Sequence, residues 1–265
     1  MKITSDRRSY GSHERQQLTI HCRADHPDHQ PRAGLLMIHG GYWATRSGMG
    51  DWPKKFAEAG YVVIEAQYRL NSDAAWPAQR DDVRAALDYA RRGAAQWILD
   101  PERIAAFGSS AGGHLAGMLA VTHAGLKGVV ALSPPMSPYR AWRDGEKPTG
   151  TWREHRARLR REAEKMAGSK PVKGTPEWDV WVDMTVYQHA TGGEPPLWLA
   201  HFEDDLIPPA HSVDLMEHLT KTGTETGNVS VETVSGSGHA MSLMETPRVQ
   251  RAVKGFLAGA TGSPQ

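Results

Sequence analysis

The stretch Ile104-Ala105-Ala106-Phe107-Gly108-Ser109-Ser110-Ala111-Gly112-Gly113 reads as a short apolar strand running into a glycine-flanked serine in the pattern G-x-S-x-G. The residues that follow, Ala111–Thr122, have helical spacing, so the serine sits at a strand-to-helix junction. A turn that sharp forces Ser110 into a strained backbone conformation, and only small neighbours let the chain pass so closely. The hydroxyl then stands at a helix N-terminus, where free N–H groups and positive potential favour a developing oxyanion, with Ala111 N–H as one donor. Ser110 is the candidate nucleophile and Ser109 a candidate substrate contact.

On either side of this junction, apolar, β-branched runs recur at Leu18–His21, Leu35–His39, Tyr61–Ala66, Val129–Leu132, Leu197–Phe202 and Val229–Val234. Helical spacing lies between most of them, over Trp52–Ala59, Gln79–Arg91, Ser212–Lys221 and Arg248–Leu257. This alternation predicts an α/β fold with a mostly parallel sheet covered on both faces, its first strand antiparallel at an edge. At 265 residues one α/β domain over 1–265 is expected. More than sixty residues of different composition separate Leu132 from Leu197, and 138–193 are expected to form a cap inserted between strands 6 and 7. Its basic run Arg156, Arg158, Arg160, Arg161 is read as a solvated outer face, with a surface for an acidic substrate or carrier protein as the alternative. Trp142, Trp152, Trp178 and Trp181 are candidate pocket walls. The tail from Ala260 is expected to fray.

Lys plus Arg number 31 against 30 Asp plus Glu, a net charge of +1 that gives no reason to expect nucleic acid or an anionic membrane as partner. No apolar run approaches a membrane span, and the one cysteine, Cys22, excludes an intramolecular disulfide and fits a reducing compartment, so the expected location is cytoplasmic. His21, Cys22, Asp25, His26, Asp28 and His29 have metal-ligand composition without zinc-type spacing. They read as a strand end and a turn, so no metal is expected. Without G-x-G-x-x-G or a P-loop, no nucleotide cofactor is expected either.

A serine hydroxyl becomes a useful nucleophile when a base takes its proton and an acid orients that base. Among 13 histidines, His239 alone lies in a loop after the last expected strand and before the final helix. Glu203, Asp204 and Asp205 follow the preceding strand; anchoring on Ile207-Pro208 favours Asp204, with Asp205 the runner-up. His39-Gly40-Gly41-Tyr42-Trp43 follows another strand and has the form of an HGGG-type loop. It can aim the N–H groups of Gly41 and Tyr42 at the same oxyanion as Ala111. His39 reads as a structural tie, and Tyr42 and Trp43 as substrate-facing residues.

Taken together, Tyr68-Arg69-Leu70, Trp76-Pro77-Ala78-Gln79 with Asp81-Asp82-Val83, Asp100-Pro101-Glu102-Arg103-Ile104 and Gly108–Ala116 resemble the carboxylesterase/lipase branch of the α/β-hydrolase superfamily, which includes hormone-sensitive-lipase-like and feruloyl-esterase-like proteins. The HGGYW loop, with Tyr10-Gly11 upstream, is also similar to the kynurenine formamidase (arylformamidase) group. The resemblance is specific from about Leu35 to Val121 and implies an eight-stranded sheet or a variant of it. It also implies a cofactor-free, two-step reaction through an acyl-enzyme on Ser110 with a small-molecule ester or related acyl substrate. Acyl transfer, lactone formation and deformylation use the same residues, and a non-catalytic ligand-binding homologue is the alternative of another class. Members of this fold commonly dimerise through edge strands or helices. Tyr42 stands where many relatives carry a third glycine, and Phe202 where a glycine is usual near the acid loop.

Overall fold

In β3 (Arg32–Ile38) every residue is buried. Leu36 and Ile38 enter one apolar cluster and Leu35 and Met37 the other, which is what a strand covered on both faces requires. The computed structural model describes residues 2–25, 30–123, 125–223 and 228–263. Before β3 come β1 (Ile3–Ser9) and β2 (Gln17–Arg23). After it follow α1 (Trp52–Glu58), β4 (Val62–Ala66), α2 (Ala78–Arg92), α3 (Ala94–Trp97), β5 (Leu99–Ser109), α4 (Ala111–Thr122) and β6 (Leu126–Leu132). The β6–β7 segment contains α5 (Pro138–Asp144), α6 (Arg153–Ala167), α7 (Pro176–Asp183) and a 3-10 turn, Val186–His189. The chain ends with β7 (Leu197–Asp205), α8 (Ala210–Thr222), β8 (Val229–Gly238), a second 3-10 turn (Ala240–Glu245) and α9 (Pro247–Thr261).

The sheet runs in the order β1-β2-β4-β3-β5-β6-β7-β8. β1–β2 and β2–β4 pair antiparallel, and every other pair is parallel. This is the α/β-hydrolase fold expected from the sequence. Phe56 and Ala57 of α1 pack on one face with Val249, Val253 and Leu257 of α9. The other face carries α2, α4 and α8 together with Leu159, Ala163, Trp181 and Met184 of the β6–β7 segment. α4 is buried on nearly all sides, and its apolar run leaves it no polar face to show to water.

Two strand expectations change. β1 escapes an apolar-pattern reading because Ile-Thr-Ser-Asp-Arg-Arg-Ser is an edge strand held by backbone pairing, from Ile3 opposite Arg23 to Ser9 opposite Gln17. β2 is antiparallel as expected but lies one place in from the edge, because β1 covers it. Of the residues with metal-ligand composition, His26, Asp28 and His29 lie outside the described residues. His21 bonds Ser5 (2.8 Å) and Glu65 (3.2 Å), and Cys22 is buried.

The chain leaves β3, forms β4 on one side of it, and returns to form β5 on the other side. The carboxyl ends of β3 and β5 thus open on a crevice at the point where strand order reverses, where open α/β sheets bind their ligands. Ile38 is in register with Gly108, so the HGGYW loop and Ser110 emerge side by side.

Candidate active site

Ser110 has φ 53° and ψ −118°, a strained positive-φ conformation that a strand-to-helix turn of this sharpness imposes on a non-glycine residue. The turn closes only around bare backbone. A Cβ on Gly108 would come 2.2 Å from Gly112 O, and one on Gly112 would come 2.1 Å from Ile38 O. Ser110 N–H donates to Leu132 O (2.8 Å), which anchors the turn to β6. Ala111 opens α4, so its N–H has no intrahelical acceptor.

His239 follows β8, and its Nε2 stands 2.9 Å from Ser110 Oγ. Ser242 clasps the His239 backbone: its Oγ accepts from His239 N–H (3.0 Å) and donates to His239 O (2.9 Å). His239 Nδ1 is 2.7 Å from Oδ1 of Asp205, so Asp205 rather than Asp204 faces the imidazole. Asp204 is exposed and its carboxylate accepts from Ser237 Oγ (2.7 Å) instead. The expectation of Asp204 is corrected by the strand register. Pairing steps from Phe202 opposite Val234 to Asp204 opposite Ser237, and the irregularity leaves Glu203 and Asp204 exposed in succession before Asp205 turns inward.

Asp205 is 1% exposed, and each of its four hydrogen-bonding partners donates. Besides His239, Ile207 N–H reaches Oδ1 (3.0 Å), while Ser133 Oγ (2.6 Å) and Phe202 N–H (3.0 Å) reach Oδ2. Burial alone would raise its pKa, but the bond and charge of His239, joined by Ser133, hold the carboxyl below the ordinary carboxylate value. Ser133, which follows β6 at φ 48°, also accepts from Ala240 N–H (2.8 Å) and so links the acid to the loop carrying His239. No motif marked Ser133 in advance; the signal available was its place just after a strand of the parallel sheet.

The HGGYW loop turns tightly. Ala44 and Thr45 N–H both donate to Gly41 O (2.9 Å each), Gly41 has φ 115°, and Tyr42 and Trp43 follow at φ 60° and 57°. Among the described residues, Gly41 and Tyr42 N–H donate to no backbone carbonyl. The loop lies against the nucleophile, since a Cβ on Gly40 would meet Ser110 Cβ at 3.1 Å. His39 is buried, stacks on Tyr68 at 4.4 Å and shares a 2.8 Å contact with Gly40 O; burial pushes its pKa down to about 4.

Two expected substrate contacts do not face solvent. Trp43 is fully buried in the core, and Ser109, which ends β5 opposite Leu132 inside the sheet, is 2% exposed. Tyr42 is half-buried, and its hydroxyl lies 2.8 Å from His155 Nδ1 of α6. Of the four candidate wall tryptophans, Trp152 has its ring 6.3 Å from that of His239 and donates through Nε1 to Asp204 O (3.1 Å). Trp142, Trp178 and Trp181 instead gather around Tyr139.

The basic run on α6 is not a solvated face. Arg156 donates to Asp205 O (2.8 Å) and Leu206 O (3.1 Å), Arg158 lies over the Tyr42 ring at 4.5 Å, and Arg160 lies over Trp142 at 3.5 Å. Arg161 alone of the four is exposed. Residues 152, 156, 159 and 163 share a helix face, so Arg156 is carried inward by its apolar neighbours. No helix among the described residues is long and apolar enough to cross a membrane.

Among relatives, the chain is 26% identical to Esterase LipC of Mycobacterium tuberculosis over 254 residues, which cover 90% of this chain and 60% of LipC. It is 38% identical to arylacetamide deacetylase of Oryctolagus cuniculus over 96 residues, covering 34% of this chain and 24% of that protein. The chain thus spans 60% or less of the length of these relatives. Among solved structures, Esterase B from Lactobacillus rhamnosis superposes with a TM-score of 0.79 at 18% identity, covering 97% of this chain and 85% of that one. A truncated carbohydrate esterase from gut microbiota gives 0.78 at 20% identity, with 99% and 97% covered. Both share the fold. The BD-FAE family model matches residues 23–219, about three quarters of the chain, from the last residue of β2 to within α8, and the chain belongs to that family.

Proposed function

We propose that this protein is a serine esterase that hydrolyses a carboxylic ester of a small molecule through an acyl-enzyme on Ser110, with His239 as general base and Asp205 as its orienting acid. The observation that carries the reading is the unbroken chain of contacts from Ser110 Oγ to His239 Nε2 (2.9 Å) and from His239 Nδ1 to Asp205 (2.7 Å), beside a loop with unspent N–H donors.

His239 takes the hydroxyl proton as Oγ attacks the ester carbonyl, and the oxyanion forms against the N–H groups of Gly41, Tyr42 and Ala111. Collapse breaks the bond to the alkoxide, which leaves with the proton from His239. Water then gives a proton to His239 and attacks the acyl-enzyme, and the second collapse returns the proton to Ser110 and frees the acid. Residues 138–193 act as a cap over this site, with Trp152 and Tyr42 bordering the substrate. The family membership and the esterase relatives support the bond type. Cys22, single and buried, agrees with a reducing, cytoplasmic setting.

The test is intact-mass analysis after a fluorophosphonate probe, with turnover of p-nitrophenyl acetate and butyrate, on wild type and Ser110→Ala. One adduct and turnover that both disappear in Ser110→Ala are expected. Folded wild type with neither sinks the proposal.

A further inference from the structure

We infer that His114, at the start of α4, is a positioning residue that holds the oxyanion-hole loop in its active shape by accepting a hydrogen bond from the indole of Trp43. The inference rests on the esterase reading above, in which Gly41 and Tyr42 N–H receive the oxyanion.

The two bonds of His114 fix its proton. Trp43 Nε1–H can only donate, and it reaches His114 Nδ1 at 3.2 Å; a carbonyl can only accept, and Met184 O lies 2.7 Å from Nε2. The imidazole is therefore neutral, bare at Nδ1 and protonated at Nε2. It is fully buried, with the Trp43 ring edge-on at 5.4 Å and the Trp76 ring at 5.7 Å, and burial pushes its pKa down to about 4. No step of the hydrolysis uses it.

Its placement matters because of what it restrains. Tyr42 and Trp43 are consecutive non-glycine residues in the left-handed region, a strained arrangement that persists only where surroundings enforce it. Trp43 is gripped at both ends, its carbonyl by Asn71 N–H (2.8 Å) and its indole by His114. His114 lies three residues beyond Ala111 on α4. One imidazole thus ties the loop bearing two oxyanion donors to the helix bearing the third, and its other nitrogen ties that helix to the β6–β7 segment.

The test uses full-length His114→Leu, which removes both bonds, His114→Gln, whose amide offers a neighbouring acceptor and donor, Trp43→Phe, which removes the indole donor together with part of the buried ring, and the Leu/Phe double variant. The readouts are kcat and KM for p-nitrophenyl butyrate, affinity for a trifluoromethyl ketone whose hemiketal oxyanion needs the hole, and NMR shifts of the Gly41 and Tyr42 amides. His114→Leu is expected to lower kcat and ketone affinity by about 10–100-fold with KM little changed, as for loss of oxyanion alignment. His114→Gln should recover most of this, and the double variant should be no worse than the more affected single one. The amide shifts should move in His114→Leu and Trp43→Phe. Folded variants with wild-type kcat, ketone affinity and amide shifts overturn the inference. If His114→Leu does not fold, Trp43→Phe reads the same contact. Wild type that neither turns over nor labels defeats the esterase reading instead, and the amide shifts alone then decide whether His114 shapes the loop.

Discussion

Asp205→Asn, set beside Asp204→Asn, separates two adjacent carboxylates that differ in everything but charge. All four groups around Asp205 donate: His239 and Ile207 N–H to Oδ1, Ser133 and Phe202 N–H to Oδ2. An asparagine amide has one acceptor oxygen, so its NH2 meets two donors whichever way it turns. With NH2 toward His239, the imidazole must bare Nδ1 and carry its proton on Nε2, where it can no longer accept from Ser110. With NH2 toward Ser133, Phe202 N–H is orphaned and the Ser133 hydroxyl must abandon its present arrangement. The wrong tautomer is expected to cost about 10⁴-fold in kcat, or about 5 kcal/mol of transition-state stabilisation, with a further 1–3 kcal/mol or so of folding stability lost to the unpaired groups. Asp204→Asn gives up one exposed contact to Ser237 and should leave kcat within about twofold. Steady-state turnover of p-nitrophenyl butyrate and the rate of fluorophosphonate labelling measure both. A larger loss in Asp204→Asn than in Asp205→Asn would refute the reasoning.

Acid should unfold the protein early. His39, His114 and His201 are held neutral to about pH 4 by burial, whereas the unfolded chain protonates them near 6.5, so their contribution is complete above about pH 6.5 and is lost as pH falls toward 4, roughly 1 kcal/mol per pH unit for each. A melting temperature that stays flat from pH 7 to 5 contradicts this. Arg156→Gln removes two charge-assisted bonds to the acid loop and should cost about 2 kcal/mol in urea unfolding along with a fall in kcat, while Arg161→Gln should be neutral in both. Gly112→Ala forces a Cβ against two backbone carbonyls and should abolish soluble, labelled protein or lower stability by more than about 3 kcal/mol; a wild-type melting curve would contradict the packing described.

The elements most legible in the sequence are those whose burial leaves a pattern. Ala111–Thr122 is readable to the residue because a helix apolar on all sides can only be internal, whereas of β5 only the buried run from Ile104 onward is readable, its first half, Leu99–Arg103, being partly exposed. β1 left no such pattern, since an edge strand is held by backbone bonds that any side chain permits. Ser110 and His239 were legible through glycine neighbours and chain order. Asp205 was not separable from Asp204, because a strand irregularity alters which face a residue shows without altering composition. Arg156 was hidden for the opposite reason: a run of arginines looks solvated, and only the partners across the fold show that three of the four are engaged. Trp43 reads as a binding aromatic because nothing local says that its indole has a buried acceptor 71 residues away.

α6 presses on both flanks of the crevice at once, through Arg156 on the Asp205 side and through His155 and Arg158 on the Tyr42 side. Remodelling of this helix therefore also disturbs the proposed triad and oxyanion loop. Changes that widen the entrance should arrive with compensating replacements at residues 42, 156 and 158. Grafting the whole β6–β7 segment from a relative should fail unless the loops at 41–43 and 204–207 travel with it.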